Sequence, residues 1–472
     1  MRQAVPPLQR ADLPARATAF WRLTGPGAVL VGLSIGAGEI VIWPRITAQY
    51  GPSLVWAAVL GVFLQLWVNV EIGRWAIATG ESVYSGFARM WWGFAPAFVC
   101  FNLAGYLLPG WARTSGLALK ALLLGPDHRS PDWLWTAITF AAVAGILFGP
   151  RRIYRAVERV IGVMILVIVV GLLIVSARVA TGDTILALAR GAVNFGHLER
   201  NLPVQEFFGA MVFAGAGGCA NLFYAFYLRD KGIGMGGRMP ELLNPFREPG
   251  AGVAGQTGYT FPQTDENLRR FRDWFGFVVR DQTLYFWLLN TFTVLLFILA
   301  ALAVLHPQGL VPQAGQLMWD EAAVLAHSMG PAGRMLFLVV AFATLFSTQV
   351  AIVDGLGRSL ADIVSTSFTV GRRTTTAQWY AVVTGFVILF GIGITMIMEY
   401  RGMTDLGFIF NSAYMGGFAM AVYTPAVLWL NLRHLPRGAR PGPANVVMVS
   451  VAAVVYVGFA LFSLASEVGL VS

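Results

Sequence analysis

Along the chain, apolar stretches alternate with short polar connections rich in Arg. Each stretch is long enough to cross a hydrocarbon core of roughly 30 Å as a helix. Eleven such spans are predicted, near residues 24–49, 53–76, 94–124, 132–149, 157–177, 205–228, 282–305, 332–357, 376–398, 404–430 and 444–467. The longest connection is 229–281. Its first half is rich in Gly and Pro. Its second half is amphipathic around Leu268, Phe271, Trp274 and Phe275, with Arg269, Arg270 and Arg272 on the other side. That pattern predicts a helix lying on the inner leaflet with its apolar side buried, or a solvated loop with a helical end.

Composition narrows the class. The chain is 57% hydrophobic and 12% charged, against about a quarter charged in an average soluble domain, so an all-α integral membrane protein with the lipid bilayer as its partner is expected. The formal charge of +9 is not read as a sign of a nucleic-acid partner, because Arg clusters in alternate connections: Arg151, Arg152, Arg155 and Arg159; the 229–280 stretch; Arg372 and Arg373; and Arg433, Arg437 and Arg440. By the positive-inside rule these are cytoplasmic, which puts the amino terminus inside and the carboxy terminus outside. The opening segment, Met1 to Phe20, lacks the apolar run of a signal peptide, and a bacterial plasma membrane is expected.

Two glycine-rich interruptions stand out, Ser34-Ile35-Gly36-Ala37-Gly38-Glu39 in the first span and Ala214-Gly215-Ala216-Gly217-Gly218-Cys219-Ala220-Asn221 in the sixth. Non-helical backbone at membrane depth is tolerated only where it lines protein or a water-filled cavity. Matching interruptions in two halves point to a binding site for a small substrate between inverted repeats. The competing explanation is close helix packing through small residues, which does not require the polar Glu39 and Asn221. The candidate substrate-binding set is Gly36, Ala37, Gly38, Glu39, Ala216, Gly217, Gly218, Cys219, Asn221 and Asn411.

Glu39 is the costliest residue to bury, and a carboxylate at that depth marks an ion or proton path unless it is a structural partner of Arg113 in the third span. Arg113 and Asp354 are candidate coupling or counter-ion residues; Gln349 could join an ion site with Asp354. Glu71 and Arg74, spaced i, i+3, read as a snorkelling pair at the inner end of span two. Trp43, Tyr106, Trp111, Tyr224 and Tyr227 are candidates for an aromatic wall, although packing at the membrane interface accounts for several of them equally well. All five histidines fall in connections, and no nucleophile–base pair, phosphate loop or zinc motif is present, so neither an enzyme nor a bound cofactor is expected.

The run from Gly25-Pro26-Gly27 through Gly36-Ala37-Gly38-Glu39 to Ala48-Gln49-Tyr50-Gly51 and Ile77-Ala78-Thr79-Gly80 resembles the first two helices of Nramp-type divalent-metal transporters. Tyr154 to Val163, Asn221-Leu222, Leu336 to Gly357, and Thr404-Asp405-Leu406 to Asn411 are similar to helices five, six, eight and ten of that family. The resemblance implies a LeuT-like fold, with two inverted repeats of five helices (about 24–180 and 205–430) plus an eleventh (444–467), in a single transmembrane domain over 1–472. It also implies a transported divalent cation or coupling ion held between helices one and six.

The departures fall on the chemistry. The family's Asp-Pro-Gly-Asn is Gly36-Ala37-Gly38-Glu39 here, and its Met-Pro-His is Gly218-Cys219-Ala220. The acids of helix three are replaced by Pro109-Gly110-Trp111-Ala112-Arg113. Asn411 stands where the family has a metal-contacting Gln, leaving Glu39 and Asn411 as the candidate metal ligands. Two cargoes stay open: a metal cation, which these hard oxygen ligands would suit if it resembled Mg²⁺, and a small organic, anionic solute met by helix amino-terminal N–H groups. A sensor on the same scaffold would want an attached output domain.

Overall fold

The structure is a computed structural model that describes residues 5–16, 18–125, 128–199, 202–248, 257–311, 317–403 and 405–468; Thr404 of the fourth similar stretch lies outside them. Among the described residues, eight helical runs are long and apolar enough to cross a membrane. One of them, Pro26–Thr79, contains two predicted spans joined by a tight turn. Asp132–Phe148 is a shorter apolar helix, and the sixth predicted span is divided into Val204–Val212, Gly218–Phe223 and Tyr224–Asp230. The eleven predicted spans are thus built of helix, and the described residues form an all-α, multi-pass membrane protein whose strand pairing is one two-residue ladder outside the spans.

Local chemistry explains where the spans end. Span 1 (Pro26–Ser34, then Gly38–Tyr50) stops at Gly51 with φ +63°, and span 2 (Val55–Thr79) stops at Gly80 with φ +74°; only glycine takes that left-handed cap without strain. Span 9 (Thr376–Arg401) opens on a reciprocal Thr375–Gln378 capping box.

Burial sorts the spans. The most apolar window of span 8 (Gly330–Ser367) is 83% buried, whereas those of span 5 (Ile153–Val179) and span 11 (Pro443–Glu467) are 33% and 28% buried. The outer spans show apolar stripes at helical spacing, Val163, Leu166, Val170 and Leu173 on span 5 and Val382, Phe386 and Leu389 on span 9. Such stripes suit contact with lipid tails. Spans 2 and 8 therefore run through the middle, and spans 5, 9 and 11 form the rim.

Three expectations are corrected. Span 3 is not continuous: Phe94–Tyr106 and Gly110–Leu124 are separated at Pro109, whose ring clashes with the carbonyl four residues back and which has no N–H to donate. The amphipathic helix Asp265–Asp281 does not present its apolar face to lipid. It runs through a π-helical stretch, Gln282–Leu289, directly into span 7 (Asn290–Val304). Its face of Phe271, Trp274 and Phe277 is buried against span 2 and the amino-terminal segment. The Trp274 indole donates to the Pro14 carbonyl at 2.8 Å, the Leu13 amide donates to Asn267 Oδ1 at 3.0 Å, and Gln9–Arg10 pairs in parallel with Tyr259–Thr260. An amphipathic face makes the same demand of a leaflet as of a folded segment, so the sequence pattern did not separate them.

The third correction concerns Glu71 and Arg74, which are paired but not at the surface. They are 0% and 4% exposed, with Arg74 Nε 3.0 and 2.9 Å from the two Glu71 oxygens. Asn431 of span 10 (Asp405–His434) and Asn445 of span 11 also donate to that carboxylate, at 2.7 and 2.8 Å, and Arg74 donates to the Ala439 carbonyl at 3.1 Å. This network ties span 2 to spans 10 and 11. Glu71→Ala removes the carboxylate to which a buried guanidinium and two amides donate, a loss of about 3–5 kcal/mol by analogy with other broken buried pairs. The expected outcome is a clear drop in melting temperature in detergent, with Glu71→Gln falling between it and the unaltered protein.

Candidate functional site

The interruption in span 1 covers Ile35 to Ala37, after which the chain resumes as a π-helical turn, Gly38–Ile42. The interruption in span 6 covers Phe213 to Gly217, with Gly217 and Gly218 at φ +64° and +51°. The two touch: a Cβ on Gly38 would lie 2.1 Å from the Phe213 carbonyl oxygen. Only a residue without a side chain permits that approach.

Most backbone groups freed in span 6 are taken by side chains of other spans. Gln65 of span 2 accepts from the Gly217 amide at 3.0 Å and donates to the Val212 carbonyl at 2.8 Å. Tyr106 of span 3 donates to the Gly217 carbonyl at 3.0 Å and accepts from the Ala220 amide at 2.9 Å. Tyr423 of span 10 donates to the Gly218 carbonyl, and Asn290 of span 7 to the Ala214 carbonyl, at 2.9 and 2.7 Å. In span 1 the Ser347 hydroxyl of span 8 donates to the Gly32 carbonyl at 3.0 Å. The amides at the start of the resumed helix, Gly36 to Gly38, belong to a first turn, which has no intrahelical acceptors.

Between the interruptions lies a small cavity. Span 1 contributes Leu33, Ser34, Gly36, Ala37 and Gly38, and span 6 contributes Phe213, Gly215 and Ala216. Tyr106 and Trp111 come from span 3, Thr348 and Ile352 from span 8, and Ile409 and Ser412 from span 10. None of these side chains is charged. The Trp111 indole N–H and the Ser34 hydroxyl are buried with no hydrogen-bond partner.

Of the expected site residues, Gly36, Ala37, Gly38 and Ala216 line the cavity. Gly217 and Gly218 are held behind it by the bonds just described. Cys219 is a buried free thiol outside the lining, and Asn221 donates to Gln65 and Tyr423 at 3.1 and 2.9 Å. Asn411 is exposed, and its neighbour Ser412 takes the inward position. Glu39 is fully buried and turned to span 7, where it accepts from Thr293 at 3.1 Å. The π-helical turn displaces its side chain from the direction that ordinary helical spacing gives. Glu39 and Asn411 are therefore not brought together as a pair of metal ligands. Among the described residues no three of His, Cys, Asp and Glu are grouped to hold a metal ion.

Arg113 does not serve as counter-ion to Glu39. It lies 3.6 Å from Asp132 at the start of span 4 (Asp132–Phe148) and donates to the Met403 carbonyl at 2.8 Å. Asp354 is joined by Arg358, which the sequence reading missed although it lies one helical turn away, at 2.8 Å. Arg358 also pairs with Asp230 of span 6, and Tyr380 of span 9 donates to Asp354 at 2.8 Å. Lys231 and Glu158 pair at 2.6 Å nearby. These contacts join spans 5, 6, 8 and 9 at the Arg-rich end of the molecule. Of the candidate aromatic wall only Tyr106 and Trp111 reach the cavity; Tyr224 is bonded to Asp281 and Tyr227 packs near Arg358. Gln349 is buried off the lining. The run Thr344, Ser347 and Thr348 within the apolar stretch 335–353 was the available signal for span 8.

Gln65→Leu tests the stitching. It leaves the Gly217 amide, the Val212 carbonyl and one Asn221 bond unmet, at about 1–3 kcal/mol for each buried group stranded. The expected result is a strongly lowered melting temperature, larger than that of Tyr423→Phe.

No family model matches the chain, and no curated protein matches it. Solved structures do. A point mutant of the Eremococcus coleocola manganese transporter is 15% identical with a TM-score of 0.70, covering 98% of this chain and 90% of that one. MhsT in complex with L-phenylalanine is 14% identical with a TM-score of 0.53, covering 96% of this chain and 99% of that one. Mhp1, a nucleobase-cation-symport-1 family transporter in a closed conformation with bromovinylhydantoin bound, is 14% identical with a TM-score of 0.54, covering 94% and 93%. At these identities the likeness is one of fold, and the fold is the LeuT-like, Nramp-like architecture that the sequence resemblance implied.

Proposed function

We propose that the protein is a secondary transporter that moves a small organic solute by alternating access through the cavity between spans 1 and 6. The carrying observation is the lining. Two interrupted helices meet at a cavity whose uncommitted polar groups, among the described residues, include the Trp111 indole N–H and the Ser34 hydroxyl, beside Tyr106, Phe213, Ile352 and Ile409. Neutral donors on an otherwise apolar and aromatic wall suit a solute with an apolar body and at least one acceptor oxygen. The first-turn amides of Gly36 to Gly38 add N–H groups and positive helix dipole for an anionic acceptor. In this reading the two five-span halves, about 24–180 and 205–430, rock against each other, and the Arg-rich end faces the cytoplasm.

A divalent metal is the cargo implied by the Nramp resemblance, and the manganese transporter shares the fold. Against it, the described residues of the lining offer no carboxylate, imidazole or thiol, which such ions use as ligands. Purified protein is screened by thermal shift against common carboxylates, amino acids and nucleobases and against Mg²⁺, Mn²⁺ and Co²⁺. An organic solute is expected to stabilise saturably, and Trp111→Phe is expected to weaken its affinity about three- to tenfold, one buried hydrogen bond. Saturable stabilisation by a divalent ion, with none by any organic solute, overturns this reading in favour of the metal.

A further inference from the structure

We propose that the cleft at the Arg-rich end, between the approach to span 1, the start of span 5 and the end of span 6, binds the phosphate headgroup of an anionic glycerophospholipid. Six cationic side chains line it, Arg22, Arg152, Arg155, Arg159, Arg229 and Lys231, against three acids, Glu158, Asp230 and Glu241. The acids are all spent. Glu241 lies 3.5 Å from Arg152, Glu158 lies 2.6 Å from Lys231, and Asp230 lies 3.5 Å from Arg229 besides its pairing with Arg358. Arg22, Arg155 and Arg159 are exposed and make no hydrogen bond or ion pair with another described residue. Three guanidiniums are therefore left over, and the planar guanidinium fork is the side-chain donor that matches phosphate oxygens. Tyr154, on the buried side of the same cleft, is 1% exposed, and its hydroxyl has no hydrogen-bond partner among the described residues. A phosphate or ester oxygen held by the arginines supplies the acceptor that a buried hydroxyl needs.

Continuity with the apolar rim selects a lipid over a soluble anion. Arg155 and Arg159 extend the exposed span 5 stripe of Val163, Leu166, Val170 and Leu173, each member three or four residues from the next. All six therefore lie on one side of the helix. A headgroup at the two arginines has its acyl chains laid along the four apolar side chains. Trp21, next to Arg22, is 72% exposed, and Trp favours the depth of the membrane interface. In the orientation set by the positive-inside rule this is the cytoplasmic leaflet, whose anionic lipids attract basic groups near its surface.

The placement gives the lipid a structural consequence. The entry to span 1 is pressed against span 5: a Cβ on Gly25 would lie 1.8 Å from Glu158 Oε1 and 2.8 Å from the Tyr154 hydroxyl. A headgroup shared by Arg22 and the span 5 arginines fastens these two elements from outside and leaves the cavity between spans 1 and 6 free. Lipid binding is measured without any cargo and stands apart from the transport reading.

Full-length protein in detergent is titrated with a diacyl phosphatidylglycerol, with phosphatidylcholine of the same chains, whose choline adds a positive charge beside the same phosphate, and with inorganic phosphate. Ionic strength is held constant and the melting temperature is followed. The expected result is saturable stabilisation by phosphatidylglycerol alone. Each arginine removed is expected to weaken the apparent affinity about fivefold, so Arg22→Gln loses about fivefold and the double variant Arg155→Gln, Arg159→Gln about 25-fold. Arg433→Gln, which alters an exposed arginine of another Arg cluster, is expected to leave the affinity unchanged. Equal stabilisation by the two lipids, or an equal loss in Arg433→Gln, overturns the site. Stabilisation by inorganic phosphate as strong as that by phosphatidylglycerol, and lost in the double variant, overturns the lipid in favour of a soluble anion. Should the double variant fail to fold, Arg22→Gln is read alone, and an unchanged affinity there overturns the proposal.

Discussion

Everything in this molecule depends on how peptide groups are satisfied where two helices stop inside a membrane. Water is not available there, and each unmet N–H or C=O costs several kcal/mol. Gln65, Tyr106, Asn290, Tyr423 and Ser347 meet that demand from spans 2, 3, 7, 10 and 8. The span 6 interruption, stitched by four neighbours, is a defined shape and not a loose segment. What the two interruptions leave for a visitor is small: a few first-turn amides, an indole and a hydroxyl.

The sequence was informative about depth and uninformative about direction. Apolar run length located the spans, and paired glycine clusters located both interruptions, because those features depend only on position along the chain. Which way a side chain points depends on the local turn. Glu39 sits in a π-helical turn and Asn411 is one residue out of step with Ser412, so assignments made from spacing alone missed the lining at both places. Partner choice was equally hidden. Arg113 meets Asp132 and Glu71 meets Asn431 and Asn445, contacts far apart in sequence. Arg358 was legible in principle, one helical turn from Asp354.

Charge is distributed unevenly along the molecule. The Asp230–Arg358–Asp354 group with Tyr380, Lys231–Glu158 and Arg229–Asp362 all lie at the Arg-rich end and bind spans 5, 6, 8 and 9. Buried pairs of this kind add little net stability, but separating one partner from the other is expensive. They therefore fix one arrangement of four helices and set the barrier to leaving it. The cavity, by contrast, is walled by uncharged groups, whose contacts are cheap to break and remake.

The π-helical turn of span 1 carries one residue more than an α-helical path of the same length would need. Excising a single residue there would rotate the preceding segment by roughly 100° relative to the remainder of the helix, enough to carry an acidic group from one side to the other. Insertions and deletions, and not only substitutions, are thus a short evolutionary route by which descendants of one scaffold could exchange an acid-lined chamber for a neutral one while keeping every other helix in place.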